Sequence, residues 1–487
     1  MSGTNGGPAR SRTQAMVTTA LSGALAVAAK APKKASRGVA LALGKAAKTQ
    51  QQRLIADWLQ GYLAPGTPGE EYATRLFTQL HPNVRKRFLA SFVSNLMFRD
   101  PGIVEQVIEE TGVKPPLLMA ISPSMRCNLR CVGCYAGNYS RKDDMSFELV
   151  DRIITEAEEI GTRVFFMIGG EPFMWPPLLD LIERHPDSAF QPYTNATMID
   201  EKTADRIVEL GNISLAISLE GFEKETDTRR GKGTFERVMN TMDLLRDRGA
   251  MMAFSATVTP DNIDVVTGDE WVDLMIDKGL LYGWYFTYIP VGSSPDMSIM
   301  LTPEQRNELR KGVNRVRREK PLLVADFWND GALTGGCIAA GRRYVHISNK
   351  GDLEPCVFCH FAVDNLKEKS LVDCLGSDFM RDIRSMQPFG HNLLRPCPLI
   401  DHPSVMKNLV AKHGAYPTHE GAESLFTEIH EPLKEYAREL RDVYAPVWKE
   451  EYAWADIFLN EDAEYLRRGS KGIDADEEIE EAEVPAS

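Results

Sequence analysis

An α/β fold is what this sequence predicts: a parallel, barrel-like sheet of six strand–helix units, with helices ahead of it and a cysteine-rich region behind it. Three observations carry the prediction. Short apolar runs alternate with amphipathic stretches after Pro115-Pro116. Residues 51–112 show helical periodicity and no hairpin signal. The eight cysteines fall into two groups, one at 127–134 and one at 337–397.

The segment 1–50 contains Arg10, Arg12, Lys30, Lys33, Lys34, Arg37, Lys45 and Lys48 and no acidic residue. Within it, Met16–Ala29 is mildly apolar and ends near a small-residue triplet, Ala26-Val27-Ala28, as a secretory signal would. Its Ala/Thr/Ser/Gly composition and the basic residues that follow argue against that reading. Basic residues 34, 37, 45 and 48 recur at helical spacing around Val39, Leu41 and Leu43. They fit either a solvated tail or a weakly amphipathic helix resting on an anionic membrane surface.

Residues 51–115 read as helices, with stripes Leu54, Ile55, Trp58, Leu59, Tyr62; Tyr72, Leu76, Phe77, Leu80; and Val84, Phe88, Leu89, Phe92, Val93, Leu96. The barrel would occupy 116–335, with strands at Leu117–Ser122, Arg163–Ile168, Ala189–Thr194, Ile213–Leu219, Met251–Val258 and Tyr282–Ile289. Ser146, Thr234 and Thr302 are the expected caps of intervening helices ending near Glu159, Arg248 and Arg318. A cysteine-rich domain at 336–402 and a helical region at 403–469 follow. In the latter, Leu425, Ile429, Leu433, Tyr436 and Leu440 form one stripe of a helix from about Glu423 to Tyr465. Residues 470–487 are acidic and read as disordered.

With 487 residues the chain has room for two to four domains at roughly 100 to 200 residues each. A net charge of −13 argues against a nucleic-acid partner, which needs a basic footprint. No apolar run reaches the roughly 18 residues of a membrane span. Eight cysteines are too sparse for a disulfide framework, and their clustering points to metal ligation in a reducing compartment, hence the cytoplasm.

In a parallel barrel, functional residues collect where strands end at their carboxyl side. There, after the first strand, stands Cys127-x3-Cys131-x2-Cys134. Three thiolates fill three corners of a cubane iron–sulfur cluster and leave one iron open for a ligand. A zinc knuckle is the competing reading, although structural zinc wants four closed ligands. After the second strand stands Gly169-Gly170-Glu171-Pro172, whose glycines permit close backbone approach.

These motifs resemble the radical S-adenosylmethionine (radical SAM) superfamily, which implies a partial (β/α)6 TIM-like barrel binding a 4Fe-4S cluster and S-adenosylmethionine. On that resemblance Glu171 and the loop carbonyls would hold the methionine ammonium. Asn195, Ser218 and Glu220 would contact the methionine or ribose, and Arg230 the methionine carboxylate. Many members carry an aromatic residue just before the third cysteine, whereas here that position is Gly133 and Tyr135 follows, a candidate substitute against the adenine.

The second group runs Cys337-x13-Gly351-x4-Cys356-x2-Cys359, then Cys374 and Cys397-Pro398. It resembles the auxiliary-cluster domain called SPASM, or its shorter form, Twitch. Asn365 and Lys369 stand where a full SPASM domain would have two more cysteines, so one auxiliary cluster is expected. Cys337, Cys356 and Cys397 are its expected ligands, with Cys359 or Cys374 as fourth or one position open; zinc is the alternative. His346, His360, His391 and His402 read as satisfied or surface histidines. Phe327-Trp328-Asn329-Asp330 and Trp284-Tyr285-Phe286 would pack the core or line an apolar cavity.

The resemblance implies reductive cleavage of S-adenosylmethionine to a 5′-deoxyadenosyl radical that takes hydrogen from an unactivated C–H bond. It also implies a low-potential electron donor such as flavodoxin or ferredoxin. A lipid substrate, coupled or alkylated on its acyl tail, is the first expectation, suggested by the basic N-terminus as a contact with the inner membrane face. Peptide or protein modification is the second. A non-catalytic electron carrier or assembly partner is the third.

Overall fold

The computed structural model describes residues 31–46, 53, 57, 59–89, 91, 92, 95, 99, 101–137, 144–292 and 295–455. The signal-like stretch 16–29, Lys48, Leu54, Ile55, Trp58, Val93, Leu96 and the acidic tail lie outside them. All six expected strands form: β1 (Leu118–Ile121), β2 (Val164–Met167), β3 (Ala189–Thr194), β4 (Ser214–Ser218), β5 (Met251–Val258) and β6 (Tyr282–Thr287). Three more join them, β7 (Leu323–Asp326), β8 (Tyr344–Ile347) and β9 (Leu353–Glu354). They make one sheet in the order β7-β6-β5-β4-β3-β2-β1-β8-β9, with β1 to β8 parallel to their neighbours and β9 antiparallel to β8.

The sheet wraps. Phe166 on β2 and Trp284 on β6 are separated by three strands, yet their ring centroids lie 6.1 Å apart, and the Tyr282 hydroxyl on β6 reaches Ser214 on β4 and Gln191 on β3. Parallel strands need crossovers, and the helices supply them: α4 (Phe147–Glu159), α5 (Leu178–Arg184), α6 (Glu201–Leu210), α7 (Glu223–Arg230), α8 (Thr234–Asp247), α9 (Asp269–Asp277) and α10 (Pro303–Glu319). Their apolar faces bury Ile153, Ile154, Leu181, Ile207, Met242 and Trp271 outside the sheet, each contributing roughly 1.5–3 kcal/mol of apolar burial.

The cap expectations hold at Ser146, which accepts from the Leu149 amide at 3.2 Å, and at Thr302, which forms a capping box with Gln305. At α8 the expectation is corrected. Gly233, with φ +77°, is the cap, Thr234 is the first helical residue, and the Asp227 carboxylate on α7 accepts from the Gly233 and Phe235 amides. A side chain from the preceding helix does the capping, which local sequence does not show.

Ahead of the sheet lie α1 (Pro32–Ala46), α2 (Pro68–Thr78) and α3 (Pro101–Thr111). Helix α1 packs on α2, where Lys33 and Arg37 both pair with Glu70. Among the described residues no helix is long and apolar enough to cross a membrane. Behind the sheet, α11 (Pro403–His413) leads to α12 (His430–Glu451), shorter at its start than expected; residues 422–426 form a separate 3-10 turn.

Strand β8 fixes the cysteine-rich region to the barrel. It pairs with β1 in the register Ala120↔His346 and Ile121↔Ile347. A second tie is the buried Arg306–Asp401 pair, whose guanidinium on α10 meets the carboxylate at 2.5 and 3.2 Å.

Candidate active site with two thiol groups

The loop after β1 carries Cys127, Cys131 and Cys134, all partly exposed and all lining one cavity at the carboxyl ends of the strands. Burial pushes the Cys127 thiol up to about 11 and raises Cys131, opposed there by Arg230 and Arg229. Cys127 and Cys131 are therefore protonated near neutrality in the apo protein, and cluster assembly must release their protons. Donors already face the sulfurs. Arg230 Nη1 is 3.8 Å from Cys131 Sγ, Asn195 Nδ2 is 3.9 Å from Cys127 Sγ, and the Leu129 amide is 3.4 Å from the same sulfur. Such a donor set suits thiolates that share an iron–sulfur cluster. Among the described residues no three His, Cys, Asp or Glu side chains meet closely enough to hold one metal ion.

The loop after β2 is laced onto the thiol loop. The Gly170 amide donates to Ser124 O at 3.0 Å and the Glu171 amide to Arg126 O at 2.7 Å. A Cβ on Gly170 would sit 2.2 Å from Arg126 O, and one on Gly169, where φ is +109°, 2.4 Å from Ser124 O. Only glycines permit that approach. The Glu171 carboxylate lines the cavity and accepts from Thr194 Oγ1 at 2.7 Å and from the Asn195 and Phe173 amides at 2.8 and 3.1 Å, which leaves acceptor capacity on Oε2. Pro172 opens a buried 3-10 turn and is not among the cavity-lining residues, a correction to its expected place at the cofactor.

Asn195, Ser218 and Arg230 line the cavity as expected. Glu220 does not. One of its oxygens accepts from Arg229 Nη1 at 2.7 Å and Arg230 Nε at 2.8 Å, and the other from the Thr257 amide at 2.9 Å. Burial raises the Glu220 carboxyl, but the two guanidiniums outweigh it and hold the group below the usual carboxylate range. Glu220 is thus a positioning residue for Arg229 and Arg230, rather than a direct ribose contact. Ser255, Thr257 and Arg229 are lining residues that sequence reasoning missed.

The missing aromatic at Gly133 has a structural cause. A Cβ there would lie 2.6 Å from the Tyr288 ring, so Tyr288, just past β6, fills that space from the other side. Tyr135 also lines the cavity, with its hydroxyl 3.3 Å from Gly169 O and its ring edge-on to Phe358 at 5.7 Å. Tyr135 follows the third core thiol and Phe358 lies between Cys356 and Cys359. The two thiol loops meet through these rings.

Four thiols of the second group, Cys337, Cys356, Cys359 and Cys397, line a separate small cavity with Phe327, Trp328 and Phe358. Each receives at least one backbone N–H, from Ala339, Phe358, Phe361, and Leu399 with Ile400 in turn, and Cys397 also faces the Trp328 side chain. This set suits an iron–sulfur cluster with four thiolates. Cys374 stands apart, on a short helix against Asp364, Lys369, Asp373 and Glu156. It is not among the residues lining the small cavity, which favours Cys359 as the fourth thiol.

None of the four histidines enters either thiol set. His346 is held between Ser122 Oγ, 2.7 Å from its Nε2, and Glu354, which also accepts from Thr418. His360 and His402 bond the carbonyls of Val357 and Arg395.

Residues 121–275 match the family described as the Radical SAM superfamily. An AdoMet-dependent heme synthase of Methanosarcina barkeri is 23% identical over 284 residues, covering 52% of this chain and 80% of that protein. Mycofactocin maturase MftC of Mycobacterium tuberculosis is 26% identical over 311 residues, 60% of this chain and 78% of its own. Among solved structures, Streptococcus suis SuiB bound to S-adenosylmethionine superposes with a TM-score of 0.52 at 22% identity, covering 60% of this chain and 75% of SuiB. That likeness is one of fold. The cofactors of that superfamily are a 4Fe-4S cluster and S-adenosylmethionine, and the first thiol loop with its cavity fits them. Residues 121–275 thus form a Radical SAM core, and the enzyme carries a second cysteine group behind it.

Proposed function

We propose that this enzyme takes hydrogen from a neutral, apolar or aromatic side chain of a peptide or protein. The observation that carries the reading is the cavity lining. Beyond the thiol loop it consists of Phe166, Tyr193, Phe286, Phe327, Tyr344 and Phe358 with aliphatic neighbours. Its charged members are spoken for: Arg229 and Arg230 pair with Glu220, and Glu171 is bonded within the loop. A tetrapyrrole bearing several carboxylates would meet no cation that is not already paired with Glu220 among these described lining residues, and burying such charges unpaired is costly. A plain acyl tail would fill the apolar part but leave the Tyr193 and Thr287 hydroxyls, both buried and without a protein partner, unsatisfied. A peptide offers apolar surface and polar groups together. The pairing of Lys33 and Arg37 with Glu70 further weakens the lipid expectation.

In this reading Cys127, Cys131 and Cys134 hold the cluster that cleaves S-adenosylmethionine, and Cys337, Cys356, Cys359 and Cys397 hold the auxiliary cluster. A cluster held there would supply the electron for reductive cleavage of S-adenosylmethionine. The chain's own residues do the rest. Arg230 and Asn195 would donate to the sulfurs, the Gly169-Gly170 backbone would border the methionine end of the cofactor, and the aromatic wall would exclude water from the reacting centre. The relatives named as mycofactocin maturases support a peptide as substrate; those named as heme synthases make tetrapyrroles the arm to test against it. The test offers dithionite-reduced enzyme three substrates: a synthetic peptide library spanning the neutral side chains, phospholipid vesicles and an iron porphyrin. Substrate-dependent 5′-deoxyadenosine together with a peptide mass change is expected; a modified lipid or porphyrin with inert peptides would overturn the proposal.

A further inference from the structure

Four aromatic rings close a collar across the bore of the barrel below the thiol loop: Phe166 on β2, Tyr193 on β3, and Trp284 and Phe286 on β6. Successive centroids lie 5.5 Å (Phe166–Tyr193), 6.0 Å (Tyr193–Phe286), 6.1 Å (Phe286–Trp284) and 6.1 Å (Trp284–Phe166) apart, so the circuit is complete. Phe166, Tyr193 and Phe286 face the cavity. Two collar members carry a shielded polar atom that no protein group meets, the Tyr193 hydroxyl and Trp284 Nε1. Gln191 lies two residues before Tyr193 and so on the same face of β3. Its Oε1 accepts from the Tyr282 hydroxyl at 3.2 Å, and its Nε2 has no partner. Buried donors without acceptors are uncommon in folded proteins. Of the three, the Tyr193 hydroxyl belongs to a cavity-lining residue, where an acceptor from outside the chain would meet it.

We infer that the collar is a subsite for an aromatic ring bearing a neutral hydroxyl or carbonyl oxygen. Phe166, Tyr193 and Phe286 offer aromatic surface to the cavity, and the Tyr193 hydroxyl offers a hydrogen bond to the oxygen. A carboxylate is disfavoured, since no cation stands among the collar residues and an unpaired buried charge is expensive. Sites built to hydrogen-bond a substrate reject analogues that lack the polar group, because their own donors are then left unpaired. The collar would therefore select the substrate side chain, while the thiol loop sets the chemistry. The inference rests on the proposed reading only in taking this cavity as the substrate's; the subsite itself is tested by binding.

The probes are 4-methylphenol and toluene, which differ by one hydroxyl, offered to the reconstituted full-length protein in anaerobic equilibrium dialysis. The phenol is expected to bind about tenfold more tightly than toluene, as one hydrogen bond at an otherwise unpaired donor implies. Tyr193→Phe keeps the ring in place and should cut that preference at least about threefold, with toluene affinity changed less than about twofold. Equal binding of the two probes by the unaltered protein would overturn the inference, because ordered water would then satisfy the donor. So would a preference that survives Tyr193→Phe, which places the phenol elsewhere. If peptides prove inert as substrates while the phenol preference stands, the subsite holds and the proposed substrate class fails alone.

Discussion

Gly169 and Glu220 carry no chemistry of their own, and both are specific to this site. At Gly169 a methyl group meets Ser124 O and the backbone is left-handed in φ, so Gly169→Ala should cost about 1–3 kcal/mol of stability and weaken S-adenosylmethionine binding at least about tenfold. Calorimetric titration of the reconstituted variant measures it, and unchanged affinity would show that the loop is not at the cofactor. Glu220 yields a pH prediction. Its folded pKa is lowered, so its contribution to stability is complete above the unfolded value of about 4.3 and is lost as pH falls through the lower folded value. Glu220→Gln should remove that acid-side slope from denaturant unfolding of the apo protein. It should also cost on the order of 3 kcal/mol at pH 7, because Arg229 and Arg230 lose a buried partner.

At the scale of elements, the thiol sets divide the cysteines four to three, with one left over. Cys359→Ala should remove about half of the roughly eight irons expected for two cubane clusters, whereas Cys374→Ala should keep them all. Iron and sulfide analysis of the two reconstituted variants decides between them. Strands β1 to β6 were legible because each is an apolar run bounded by turn residues, and Ser146 and Thr302 because a cap is a local hydrogen bond. Strands β7, β8 and β9 are two to four residues long, and β8 takes its meaning from pairing with β1 more than two hundred residues away. That pairing leaves no local trace. The same holds within the site. Cysteine spacing shows that Cys127, Cys131 and Cys134 share a loop, but the choice of Cys359 over Cys374 depends on which loops meet in space. Glu220 reads as a ligand contact until its hydrogen bonds to Arg229, Arg230 and Thr257, invisible in sequence, mark it as their support.

For the whole molecule, the central feature is that barrel and cysteine domain are built as one piece. Strand β8 extends the barrel sheet, the Tyr135 and Phe358 rings join the two thiol loops, and Arg306 on α10 holds Asp401, which accepts from the Cys397 amide at 2.9 Å. Both partners of that pair are fully buried. Asp401→Asn should therefore destabilise the apo protein by about 3–5 kcal/mol, since it leaves the guanidinium without its counter-charge. If the two regions unfold together, the variant will show a single shifted transition in guanidinium; two separate transitions would show that the pair does not couple them.

The most direct test of the account is the reaction at the first thiol set. The protein is reconstituted anaerobically with iron and sulfide, reduced with dithionite and given S-adenosylmethionine and the peptide library, while 5′-deoxyadenosine is followed by chromatography. The account predicts release of 5′-deoxyadenosine by protein holding about eight irons, and its loss in Cys131→Ala with about four auxiliary irons retained. Full iron loading without any 5′-deoxyadenosine, or release that survives Cys131→Ala, would contradict it.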